Sequence, residues 1–288
     1  MMRDQAAVLR RQLQISKEPK QAKTLSFISG KGGVGKSNIA LNFSLELINN
    51  HKKVLLFDLD VGMGNIDILL GLNAQKTIID MFNEQLSVHE IIEHGPNNLA
   101  YIAGGSGAGS LFNLNQVKMD YFLDQYNELI QMYDYIIFDM GAGATKDSLF
   151  FILASDECIV ITTPEPTSIT DAYGMIKHVI NNQPEMPIYV VMNRSNTQKE
   201  GLKSLERFKN VIQKFLHINI HMMGILPEDK TVTSAVRRQI PFLLLNEKSA
   251  ASKAVKQISL FYLTKSQDIN HIEATSFVQK LKQYIMAR

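Results

Sequence analysis

Gly30, Gly35, Lys36 and Ser37 stand at the spacing G-x-x-x-x-G-K-S within FISGKGGVGKSNIALN, residues 27–42. Glycines so placed let main-chain amides wrap a row of phosphates, and the lysine ammonium and serine hydroxyl then meet the outer oxygens and a bound Mg²⁺. The expected cradle comprises Gly30, Gly32, Gly33, Val34, Gly35, Lys36, Ser37 and Asn38. Lys31, five residues before Lys36, has no task in it. Two apolar runs end in acids: KVLLFDLD in Asp58 and Asp60, YDYIIFD in Asp139. One carboxylate behind the metal can hold Mg²⁺ directly or through water, and another can orient an attacking water. Phosphoryl transfer depends mostly on positioning and charge neutralisation, so the lack of a nucleophilic triad is no objection.

These residues need a scaffold that brings the loop and both acids to one edge. TLSFIS, KVLLFD, YDYIIFD, ECIVITT, PIYVVMN and MMGIL read as short strands, nearly all apolar. Such runs imply burial on both faces, hence an α/β fold of the phosphate-loop NTPase type, with a mostly parallel central sheet flanked by helices on both faces. In open sheets of this kind ligands bind beyond the carboxyl ends of the strands, where the loop and acids fall. Helical periodicity follows at 198–216 and 249–263, and after PEPTS, where Ser168 and Asp171 have capping-box spacing. GGSGAGS, residues 104–110, follows a short strand and reads as a loop, since no lysine follows it.

With 288 residues and 45% apolar composition the chain can bury a substantial core. No run approaches 18 apolar residues, and MMRDQAAVLRRQ carries charge without the apolar stretch of a secretory signal, which points to the cytoplasm. The single cysteine, Cys158, excludes disulfides and cysteine-ligated metal within one chain. His217 and His221 lack a third ligand.

Net charge is +2 but uneven: residues 1–23 carry +4, residues 274–288 carry +3, and the body between is acidic. Basic ends of this kind meet partners of their own. The last helix-like stretch, TSFVQKLKQYIMAR, aligns Phe277, Val278, Leu281, Tyr284 and Ile285 on one side. It can lie on an anionic membrane surface, to which each basic group adds about 1 kcal/mol, or pack on its own domain. At the other end, Asp4 can cap a short helix carrying Ala6, Leu9 and Leu13.

The ordered motifs K31-G-G-V-G-K-S37, D58-L-D60-V-G-M-G-N-I-D67, D139-M-G-A-G143, M192-N193-R194 and I225-L-P-E-D229 resemble the deviant Walker A ATPases of the MinD/ParA class over residues 24 to about 263. The segment D4-Q-A-A-V-L-R10 narrows the resemblance to the FlhG (YlxH) family of flagellar-number ATPases. This resemblance implies ATP/ADP and Mg²⁺ as ligands and a homodimer with ATP. In it Lys31 would reach the neighbouring subunit's phosphates, Asp60 would position the hydrolytic water, and Ser37 and Asp139 would serve the metal. Asn193 would bond adenine, with Pro227, Glu228 and Asp229 passing beside base and ribose. Met140 departs from the small or hydroxyl residue often found there.

The same resemblance implies that Asp4, Gln5, Leu9 and Arg10 engage an FlhF-type GTPase, that flagellar C-ring proteins are partners, and that the last helix binds the inner face of the cell membrane in the ATP state. The expected organisation is a basic arm (1–23), an ATPase domain (24–264) and a linker with a membrane-targeting helix (265–288). Two rival readings are a ParA-type DNA-partitioning ATPase, which would bind DNA without sequence preference, and a GTPase-activating adaptor with structural nucleotide; no specific nucleic acid is expected. A nitrogenase-reductase-like iron protein is excluded, because a bridging cluster needs two cysteines per subunit.

Overall fold

The computed structural model describes residues 21–60, 64–105, 116–143, 146–268 and 277–286. The expectations for Asp4, Gln5, Leu9 and Arg10, and for most of the 104–110 loop, lie outside the described residues. The strands are β1 (Lys23–Ile28), β2 (Val54–Leu59), β3 (Glu93–His94), β4 (Ala100–Ile102), β5 (Tyr135–Met140), β6 (Glu157–Thr162), β7 (Ile188–Ser195) and β8 (His221–Pro227). The helices are α1 (Lys36–Asn49), α2 (Ile66–Leu70), α3 (Ile78–Glu84), α4 (Val88–Ile91), α5 (Gln116–Met132), α6 (Lys146–Ala154), α7 (Pro166–Asn182), α8 (Gln198–Leu216), α9 (Lys230–Arg238), α10 (Phe242–Leu245), α11 (Ala250–Asp268) and α12 (Phe277–Met286).

The eight strands form one sheet ordered β3-β4-β2-β5-β1-β6-β7-β8, and every described pairing is parallel except β3 with β4. The expected α/β architecture is observed, with an antiparallel edge added by the two-residue β3. Strand alternation divides the apolar residues between two layers. On β5, Ile136, Phe138 and Met140 enter one core with α3 to α8, while Tyr135 and Ile137 enter the other with α1, α2 and α9 to α11. Because β2 and β5 are neighbours in register, Asp58 lies opposite Asp139 at the carboxyl end of the sheet. Chain topology thus unites two acids that are far apart in sequence.

Helix α7 differs from its expected start. Its N-cap is Glu165, and Pro166 occupies the first turn, where a missing N–H carries no penalty. Ser168 is instead buried, its hydroxyl accepting the Thr163 amide at 3.1 Å and lying 3.0 Å from Thr162 Oγ1. This fixes the helix start to the end of β6. His217 caps α8 in a left-handed conformation and His221 stacks on Tyr189 at the start of β8. The residues between these two histidines belong to no strand, and β8 begins at His221 itself. Among the described residues no His/Cys/Asp/Glu group could hold a metal ion by itself.

The carboxyl-terminal segment is part of the same core. Phe277, Val278 and Leu281 are buried with α5 and α6, and the Phe277 ring lies 4.4 Å from Tyr126 and 5.3 Å from Phe138. Lys280 Nζ is 3.4 Å from Asp156, and the Tyr284 hydroxyl donates to Gln183 at 3.1 Å. The side chain of Ile285 lies outside the described residues. Of the two arrangements open to this helix, packing on its own domain is the one observed. Helix α11 continues to Asp268. No described helix is long and apolar enough to cross a membrane.

Candidate functional site

The phosphate loop joins β1 to α1. Gly33 and Gly35 have φ of 77° and 93°, left-handed values that a side chain would strain. Gly30 is required for a different reason: a Cβ there would fall 2.2 Å from the main-chain carbon of Asp171 in α7. The first helical bond of α1 runs from the Ile39 amide to the Gly35 carbonyl, which leaves the preceding amides at the positive end of the helix dipole. An anion is the complement of that arrangement.

Two lysines leave this loop in different directions. Lys36 is 6% exposed, bonded to the buried Asp139 carboxylate, with Ser37 Oγ 3.4 Å from its ammonium. Lys31 points outward, where its Nζ donates to Glu165 Oε2 at 3.3 Å and to Thr167 Oγ1 at 3.4 Å. Glu165 and Thr167 were not foreseen as site residues. Glu165 does carry one sequence signal, an acid just beyond the carboxyl end of a parallel strand, β6.

Asp58, Asp60 and Asp139 gather at the carboxyl ends of β2 and β5, with Lys36 bonded to Asp139. Asp139 is fully buried, and its second oxygen has no partner among the described residues. Asp58 is 1% exposed; its Oδ1 accepts the Asp60 amide at 3.0 Å, and its Oδ2 accepts the amides of Asn65 and Ile66 at 2.7 and 3.1 Å. Burial and the neighbouring Asp139 charge push Asp58 up to about 7, against the three main-chain bonds that favour its ionised form. Burial raises Asp60 as well, with Lys36 opposing and Asp139 reinforcing the shift. A Cβ at Gly141 would lie 3.3 Å from Asp60 Oδ1, so the turn after β5 approaches this acid without a side chain. Met140 is buried in the core and takes no part in the site.

Asn193 enters from β7. Its Nδ2 donates to the Val34 carbonyl at 2.7 Å and its Oδ1 accepts the Arg194 amide at 2.9 Å, so it braces the phosphate loop from below. Asp229 accepts the amides of Thr231 and Ala251, capping α9 and joining it to α11. Partial burial opposes its ionisation, but these main-chain bonds and the Thr231 hydroxyl hold it below the usual carboxylate range. The Glu228 amide donates to Ser195 at 2.9 Å and ties the same segment to β7.

The site therefore offers an anion cradle, a buried ammonium, a hydroxyl and an unpartnered carboxylate oxygen. An Mg²⁺–nucleotide fits that donor set, with the Asp139 oxygen and the Ser37 hydroxyl on the metal side.

The pattern of the CobQ/CobB/MinD/ParA nucleotide binding domain matches residues 25–242. The chain belongs to the MinD/ParA family of nucleotide-binding ATPases. It is 31% identical over 269 residues to the flagellum site-determining protein YlxH of Helicobacter pylori, covering 91% of this chain and 90% of that protein. To the antiactivator FleN of Pseudomonas aeruginosa it is 28% identical over 235 residues, covering 82% and 84%. Its fold is similar to that of the MinD–Mg-ADP complex of Pyrococcus horikoshii OT3, with a TM-score of 0.72, 21% identity, and coverage of 87% of this chain and 100% of that one. Within the MinD/ParA family its relatives thus include a flagellum site-determining protein, in keeping with the motif resemblance.

Proposed function

We propose that this protein is an ATP-dependent dimerising ATPase that associates with the membrane in its ATP state and regulates flagellar number and placement. The observation that carries the reading is the outward direction of Lys31, whose ammonium is exposed beside Glu165 and Thr167 while Lys36 of the same loop is buried against Asp139. In an ATP-bound homodimer this ammonium meets the partner's nucleotide and stabilises charge that develops during phosphoryl transfer. Lys36 and the amides of residues 30–38 hold the phosphates of their own subunit. Asp60 orients the attacking water. Ser37 and Asp139 hold Mg²⁺, which when bound neutralises charge on the phosphate oxygens.

The similarity to YlxH, a flagellum site-determining protein, supports a flagellar role. The arm at residues 1–23 then acts on an FlhF-type GTPase, with Gln5 as the contact or water-orienting side chain, and C-ring proteins are further partners. Membrane association uses the apolar side of α12, which requires that helix to leave the pocket between α5 and α6.

The test is sizing with ADP and with ATP. The wild type is expected to be a monomer with ADP and a dimer with ATP, and Asp60→Ala a dimer that persists because turnover stops. A Lys31→Ala protein that still hydrolyses ATP at the wild-type rate would remove the basis of this reading.

A further inference from the structure

Asp58 has no role in the chemistry described so far, although it is among the most buried acids in the molecule. Among the described residues it accepts three hydrogen bonds, each from a main-chain amide, and they come from both ends of one segment: Asp60 at the start, Asn65 and Ile66 at the finish. Helix α2 has no capping side chain of its own, because Asn65 at its N-cap makes no such bond. Asp58 supplies that cap from the end of β2, across eight residues. The surroundings are shaped to let main chain approach the acid. A Cβ at Gly64 would stand 3.2 Å from Asp58 Oδ2, and one at Gly104 would stand 2.9 Å from the Asp58 carbonyl.

We propose that Asp58 is the positioning residue for Asp60: a single buried carboxylate closes the segment from Asp60 to Ile66 at both ends and so fixes where the Asp60 side chain stands. The carboxylate is required because it is an acceptor on both oxygens. An asparagine retains one acceptor and turns an N–H₂ group toward one or two of the amides it replaces. The proposal rests on the reading of Asp60 as the water-orienting group, and it assigns Asp58 no contact with nucleotide.

The experiment combines kinetics with amide hydrogen exchange on the full chain. Asp58→Asn is expected to lower kcat by about 10²-fold, while KM and the affinity for a non-hydrolysable ATP analogue move by less than about threefold. The amides of Asp60, Asn65 and Ile66, slow and similar to one another in the wild type, are expected to exchange faster in Asp58→Asn. Wild-type turnover in Asp58→Asn overturns the proposal, as does an equal loss of analogue affinity, which would make the residue part of the binding surface. Should Asp58→Asn fail to fold, the wild-type exchange decides: three amides as fast as free peptide would show that no clamp exists. Asp60→Ala separates the two readings. If it retains turnover, the role of Asp60 fails, and the clamp stands or falls on the exchange data.

Discussion

Lys31 and Glu165 form an ion pair at the protein surface, with 3.3 Å between ammonium and carboxylate, while Lys36 of the same loop is bonded to Asp139 inside it. One loop thus presents one cation inward and one outward, and removing each has a distinct signature.

Lys31→Ala removes a charge that does not touch the subunit's own cradle. ATP affinity of the separate chain is therefore expected to change little, while turnover under dimer-forming conditions falls by about 10³-fold or more, as for a cation supplied in trans. Steady-state hydrolysis alongside a nucleotide titration checks this. A large loss of nucleotide affinity with unchanged kcat would place Lys31 in its own cradle.

Lys36→Ala has a second consequence besides lost phosphate binding. Asp139 is buried and Lys36 is its ion-pair partner, so truncation leaves an uncompensated charge in the interior. Breaking such a pair costs about 3–5 kcal/mol. Urea unfolding of the nucleotide-free protein should show a loss of that size, whereas Lys36→Ala with Asp139→Asn should recover much of it. Equal stability of wild type and Lys36→Ala would mean that the pair is not formed.

Local pattern was enough for the parallel sheet, the phosphate loop and the acids at strand ends, because each is written in a few adjacent residues. Strands such as β5 announce themselves by nearly continuous apolarity, and the loop by its glycines. What depended on distant partners was not legible. Ser168 resembles a cap in sequence, yet the end of β6 takes its hydroxyl. The bonds that Asn193 makes to Val34 and Asp229 makes to α9 and α11 join residues distant in sequence, and no local pattern announces them. The two-residue β3 is too short to carry any periodicity. The apolar side of α12 is equally suited to lipid or protein, so only packing could show what covers it.

Asp58 provides a pH signature. Its folded value of about 7 lies above the unfolded value of 3.8, so the folded protein binds this proton more tightly across the interval between them. Stability contributed by this group is greatest at the acid end, falls as pH rises through that window, and is level above it. A shift of this size corresponds to a change on the order of 4 kcal/mol. Asp58→Asn cannot titrate, so the stability difference between variant and wild type should move in favour of the variant between about pH 4 and about pH 7. Parallel curves for the two proteins would refute the raised value.

The last prediction concerns α12, whose buried residues are the ones a membrane would need. Phe277 packs against Tyr126, Phe138 and Phe151, and Leu281 is fully buried. A side chain cannot occupy this pocket and a bilayer together, so docking and membrane binding compete for one apolar side. Phe277→Ala should weaken both: the docked state loses up to about 3–5 kcal/mol of packing, and vesicle binding loses an aromatic anchor. Lys280→Ala separates them, because the 3.4 Å contact with Asp156 belongs to the docked state alone. It removes one cationic charge, worth about 1 kcal/mol at an anionic surface, and it also removes a contact of the docked state. With neutral vesicles only the second effect remains, so Lys280→Ala should bind them at least as well as wild type while binding anionic vesicles less well. Flotation with the two vesicle types, each with ATP, reads both. Weaker binding of Lys280→Ala to neutral vesicles would mean that the docked contact does not hold the helix back.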